Sequence, residues 1–169
     1  MTTISAHEEK SVAMDHAAPT GIIGKASNLI QTIAQKDITQ LVLRVAVAVP
    51  FWKSGDLKWD GFLQLSEIAP LLFENEFQLH ILGSTYPFPF PYAIAFGAGL
   101  GEIILPVLLV LGIFTRFAAL GILAMTVIIQ LTVPTGWPVH LTWAAIALAV
   151  MAWGPGRIAV DSFLQRLYR

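Results

Sequence analysis

Glu102, in the stretch GLGEIILP, stands inside a long run of residues that carries no other charge. A carboxylate in apolar surroundings costs several kcal/mol unless it is paired or takes up a proton. Its placement therefore points to a proton-exchanging or ligand-holding group. Gln130 in VIIQLTV and His140 in WPVHLTW are polar groups in similarly apolar settings. Histidine titrates near neutral pH, which suits it to the same work. Lys53 closes a further apolar run, LVLRVAVAVPFWK, with Trp52 beside it. Glu102 and His140 are the candidate catalytic residues. Lys53 and Gln130 can hydrogen-bond a ligand's polar head, and Trp52, Trp143 and Phe96 can pack against its body.

Composition says what must position these groups. The chain has 169 residues, of which 56% are hydrophobic and 12% charged, about half of the roughly 25% charge of soluble domains. Mean hydropathy is +0.69. This is a membrane-protein composition. A net charge of −1 and the lack of a basic patch argue against nucleic acid. There are no cysteines, so disulfides, thiolate metal sites and thiol redox chemistry are excluded within the chain.

A membrane helix needs about 20 mostly apolar residues. Four segments approach this: 38–54, 91–114, 116–133 and 138–154. Short connectors at 115–116 and 134–137 force antiparallel neighbours. The expected fold is an all-α membrane protein, an antiparallel bundle of four transmembrane helices with an amphipathic outer loop over residues 55–90. Residues 1–20 read as a disordered tail, 21–36 as an amphipathic juxtamembrane segment, and 37–169 as the membrane domain. Lys25, Lys36, Arg116, Arg157, Arg166 and Arg169 outnumber Lys53 and Lys58 on the other side. The positive-inside rule then puts both termini in the cytoplasm. The outer loop reads either as a lid over the bundle or as a ligand gate.

At about 1.5 Å of rise per residue, Glu102, Gln130, His140 and Lys53 all lie roughly 18–22 Å from the inner face. They are expected to converge in the outer half of the bundle. Two readings of that convergence stand, interhelical hydrogen-bond glue and a ligand or proton site. Pro106 cannot donate to the carbonyl of residue 102, leaving that oxygen open to a partner. Gly97 and Gly101 offer a small-residue face for close helix approach. Metal binding by His140 with His80 and Glu102 has no ligand spacing behind it, and no metal site is assigned. Near the inner face Arg44, Arg116, Arg157 and Asp161 form a structural charge layer. Arg44 is expected to snorkel inward, and Arg157 to pair with Asp161 at i,i+4.

The chain resembles the DoxX family of small four-span bacterial membrane proteins over about residues 38–165. LVLRVAVAVPFWKSGDLK, GLGEIILPVLLVLGIFTRFAALGILAMTVI and GPGRIAVD carry the likeness. The region from VIIQ to GPGR is similar to DoxX-type members found beside genes for copper-related modified peptides. Arg44, Lys58, Glu102, Arg116 and Arg157 match the family pattern, and Lys58 joins the ligand-binding set. The resemblance implies a redox-linked accessory subunit of the bacterial inner membrane, binding a quinone-like ligand non-covalently and drawing electrons from a protein partner. A membrane anchor or assembly factor for a metal- or oxidative-stress system, and a proton-coupled exporter acting as a homo-dimer, are the alternatives. Enzymatic activity, if any, is that of a quinone-linked oxidoreductase subunit.

Overall fold

The computed structural model describes residues 21–168, so the expected disordered tail lies outside the described residues. Those residues divide into two units, one ending at Gln35 and one starting at Lys36. In the first, helix α1 spans Ile22–Ile33 and leaves Ile22, Ile23, Leu29, Ile30 and Ile33 exposed.

The second unit is built on four long helices: α2 (Lys36–Asp56), α4 (Pro91–Leu111), α5 (Thr115–Thr132) and α6 (Trp137–Trp153). Among the described residues, three stretches are long and apolar enough to cross a membrane: Pro91–Leu111, Thr115–Thr132 and Pro134–Trp153. α2 matches α4 in length at 21 residues but carries Gln40, Arg44 and Lys53. It packs against α4 and α6, and α5 packs against α4 and α6. The core between them holds Val47, Phe51, Leu109, Ala118, Ala119, Ile122, Ala147 and Val150.

Residues 57–90 are more ordered than an amphipathic loop, and they correct the all-α expectation. β1 (Trp59–Gly61) pairs antiparallel with β2 (Gln64–Leu65). A short helix α3 (Ile68–Asn75) follows. β3 (Gln78–Ile81) then pairs antiparallel with β4 (Ser84–Pro87) in the register Gln78↔Pro87 to Ile81↔Ser84. Leu82 and Gly83 at the tip both have positive φ, 50° and 83°, as a tight hairpin turn demands. Leucine is a poor signal for that conformation, which hides the hairpin from a sequence reading. α3 lies on α4 and β3 on α5. Their contacts enclose a second small core of Ala69, Phe73, Phe88 and Ala95.

At the opposite end, α4 stops at Gly112, whose φ of 73° closes a left-handed C-cap. Arg44 fills the space beneath it. The side chain is fully buried and does not snorkel. It donates to the carbonyls of Leu109 (3.0 Å) and Val110 (3.3 Å) and to that of Ile158. The Leu109 and Val110 carbonyls lie in the last turn of α4, at the negative end of its dipole, where a cation is favoured.

Helix α7 (Val160–Leu167) then closes the layer. Asp161 accepts from the backbone N–H of Phe114 and Thr115, both 2.9 Å, and from Thr115 Oγ1 at 2.8 Å. It thereby caps the start of α5, which has no cap of its own. The expected Arg157–Asp161 pair does not form. α7 starts only at Val160 and Ala159 is extended, so residues 157 and 161 do not share a helical face. Arg157 lies instead against Asp37, 3.8 Å away and largely exposed. Replacing Asp161 by Ala removes the cap, with an expected loss of about 1–2 kcal/mol. Asp161→Asn, which keeps an acceptor oxygen, should lose less. Thermal unfolding in detergent measures both.

Candidate functional site

The helical repeat decides which residues α2 turns inward. Ser54 and Gly55 follow Phe51 by three and four residues, the spacing of one helix face. Phe51 and Gly55 are buried. At Gly55 an added Cβ would sit 2.8 Å from Glu102 Cβ and 3.0 Å from its carbonyl carbon. Glycine there lets α2 lie directly on α4 at the acid. The closest approach thus comes from α2, and not from Gly97, where a Cβ would meet nothing within 4 Å.

Glu102 is 4% exposed and faces inward. Lys58 Nζ reaches its Oε2 at 2.6 Å, with both side chains largely buried. Ser54 Oγ donates to Oε1 at 3.2 Å. Lys58 also donates to Ser54 Oγ (3.1 Å) and to the Ser54 carbonyl (3.3 Å). The ammonium therefore has three acceptors, matching its three protons. The carboxylate keeps lone pairs beyond the two it uses here. Lys58 lies just past the end of α2, and its carbonyl accepts from Ser66 N–H at 2.8 Å, which fixes the turn to the first hairpin.

A cavity of about 460 Å³ adjoins this triad. Its polar wall is Ser54, Lys58 and Glu102, and Thr132 lies further along. The rest is apolar, with Phe73, Phe77 and Phe88 above and Phe51 and Trp143 beside. Phe51 and Trp143 rings are 5.1 Å apart.

The remaining residues named from the sequence fall into separate places. His140 Nδ1 is 2.8 Å from Gln130 Oε1, and Gln130 Nε2 donates to the Pro134 carbonyl at 3.1 Å. With the amide nitrogen committed as donor, Oε1 is the acceptor, so His140 carries its proton on Nδ1. The His140 ring lies 5.1 Å from Trp143, which separates it from the cavity it does not line. Lys53 and Trp52 are exposed and border a second, apolar groove with Val49, Pro106 and Val110. They leave the expected convergence because helix depth says nothing of azimuth: residues 52 and 53 point away from the face of 51, 54 and 55. Phe96 stacks edge-on against Trp59 at 5.2 Å and does not line the cavity either. Arg116 is exposed beside Gly154. Sequence reasoning missed Ser54 and Gly55 as site residues. Their signal was the helical spacing from Phe51, three residues to Ser54 and four to Gly55. Among the described residues, no cluster of three or more His, Asp or Glu is arranged to hold a metal ion.

Apolar helices around a buried ion pair define a helical membrane protein. The DoxX family model matches residues 39–135, more than half of the chain, and covers the cavity-lining residues other than Trp143. The chain belongs to the DoxX family. An uncharacterized protein of Haemophilus influenzae is 26% identical over 143 residues, 78% of this chain and 86% of that one. No solved structure matches.

The ion pair makes a definite energetic prediction. Removing one partner of a buried pair strands the other charge at a cost of about 3–5 kcal/mol. Lys58→Met should lose about that much stability, less whatever protonation of Glu102 recovers. The double variant Lys58→Met/Glu102→Gln should regain most of it. A double-mutant cycle of unfolding in lipid measures the coupling, and additive losses would show that the two groups act independently.

Proposed function

We propose that this DoxX protein is a redox-linked accessory subunit whose cavity holds a quinone-like amphiphile. The observation that supports the reading is the cavity's asymmetry: one wall of Ser54, Lys58 and Glu102, and apolar or aromatic sides elsewhere. A ligand pocket typically combines an apolar lining with a few placed polar groups. Lys58 can donate to a ring carbonyl. Glu102 can relay a proton to the ring oxygen as the quinone is reduced. With no cysteine in the chain, the electrons that accompany that proton come from a partner protein. Trp143 supplies a ring face, and His140 with Gln130 fixes the orientation of that ring from behind.

In this reading α2 is also a span, the first of four. Arg44 and Gln40 are tolerated in it because both are buried, with Gln40 donating to the Trp153 carbonyl at 3.1 Å. The excess of Lys and Arg at one side supports a topology with both termini in the cytoplasm and the hairpins outside the bacterial inner membrane.

Protein in lipid nanodiscs, titrated with a ten-carbon-tailed quinone, should show saturable quenching of tryptophan fluorescence. Trp143→Phe should remove most of that signal. Lys58→Met should weaken binding about ten- to hundredfold, the worth of one charge-assisted hydrogen bond. Binding unchanged by Lys58→Met, or no saturable binding by the unaltered protein, overturns the reading.

A further inference from the structure

Where the cavity is open decides what can reach it. Its roof is made by Phe73, Phe77 and Phe88, packed edge-on with ring centroids 5.1 and 5.3 Å apart. The roof is fastened to α5 through β3, where His80 Nδ1 lies 3.1 Å from the Leu131 carbonyl. α2 and the ion pair close a second side, and Trp143 of α6 a third.

The remaining side is the seam between α4 and α5. Near the turn that joins them the seam is tight. A Cβ on Gly121 would lie 2.8 Å from Leu105, and one on Gly101 3.1 Å from Met125 Sδ. Further from the turn the helices part. Gly97 lines the cavity, is exposed, and has open space where a Cβ would stand. Ala93, one turn along α4, Ile128 on α5 and Val133 just past its end are likewise both exposed and cavity-lining. α4 and α5 are two of the helices apolar enough to cross a membrane. The exposed flank of their seam therefore faces hydrocarbon rather than water.

We infer that the cavity is loaded sideways from the bilayer, through a slot between α4 and α5 at Ala93, Gly97 and Ile128. The ligand class this defines is a membrane-resident lipid with a ring-sized polar head and a long apolar chain. The head meets Lys58 and Glu102, and the chain stays in the lipid. A volume of about 460 Å³ holds such a head but not a long polyisoprenoid tail, which needs the slot. The inference rests on the cavity being a ligand site and adds the route and the kind of molecule that uses it.

Two quinones with one head group test it in nanodiscs, one without a tail and one with a long polyisoprenoid chain. Both should bind and compete with each other. Binding of the tail-less quinone alone overturns the slot and leaves the cavity as a ligand site. Binding of neither overturns both. Gly97→Leu should narrow the slot without disturbing the fold, since nothing occupies that space. It should weaken the long-chain quinone at least about tenfold, or about 1.4 kcal/mol, and the tail-less one less than about threefold. Equal effects on the two overturn the slot. A readout that needs no quinone comes from the absence of native cysteine. In Gly97→Cys, an uncharged maleimide dissolved in the bilayer should label the thiol. A charged, impermeant thiosulfonate should label it far more slowly than it labels Ser84→Cys in the exposed hairpin. Equal labelling by the charged reagent means that the cavity opens to water, and overturns the slot.

Discussion

A carboxylate held among apolar helices needs a counter-charge, and the rest of this site follows from how that need is met. The cation is Lys58, and it is not on a long helix at all. It descends from the turn between α2 and the first hairpin, so the hairpin region and the bundle are tied together at the acid. Because the contact must be short in a low-dielectric setting, α2 has to come within backbone distance of Glu102, and Gly55 makes room for it. Ser54 then fills the gap left between the two charges. None of these features is independent. A side chain at position 55 would push apart the helices whose closeness keeps the pair dry.

The protein carries two buried charge layers, and they differ in kind. At the Arg44 layer the charge is answered by backbone carbonyls, and Asp161 is spent on three donors at the start of α5. That layer is a clasp. At the Glu102 layer the carboxylate keeps spare lone pairs and borders a space of ligand size. Between them Val47, Phe51, Leu109 and Ile122 form a dry core that keeps the layers apart. The Arg44 clasp thus lies at the C-terminal end of α4 and the Glu102 pair near its middle.

Much of this was legible in the sequence. Hydropathy located α4, α5 and α6, and the isolation of Glu102 singled it out as a buried acid. Rise per residue, however, gives depth and not direction. It grouped Lys53 with Glu102 because they share a level, although one turn of α2 carries position 53 to the outside. Counting three and four residues from Phe51 leads instead to Ser54 and Gly55, and Lys58 reaches the acid from the turn beyond the helix. The Arg157–Asp161 spacing misled for a related reason: i,i+4 has meaning only inside a helix, and α7 has not begun at 157. The hairpin at 78–87 was hidden because its turn uses leucine in a left-handed conformation, a choice that propensity argues against.

The Arg44 clasp also bears on how the chain is made. Its acceptors lie 65, 66 and 114 residues further along the sequence. On the four-span reading, the first span leaves the ribosome with an unanswered guanidinium, a burden of about 2.5–3.5 kcal/mol for a helix entering lipid alone. That burden persists until α4 arrives with its carbonyls, and Ile158 joins only after α6 has followed. Insertion of α2 is thus held in suspense by its own arginine until segments made after it answer the charge.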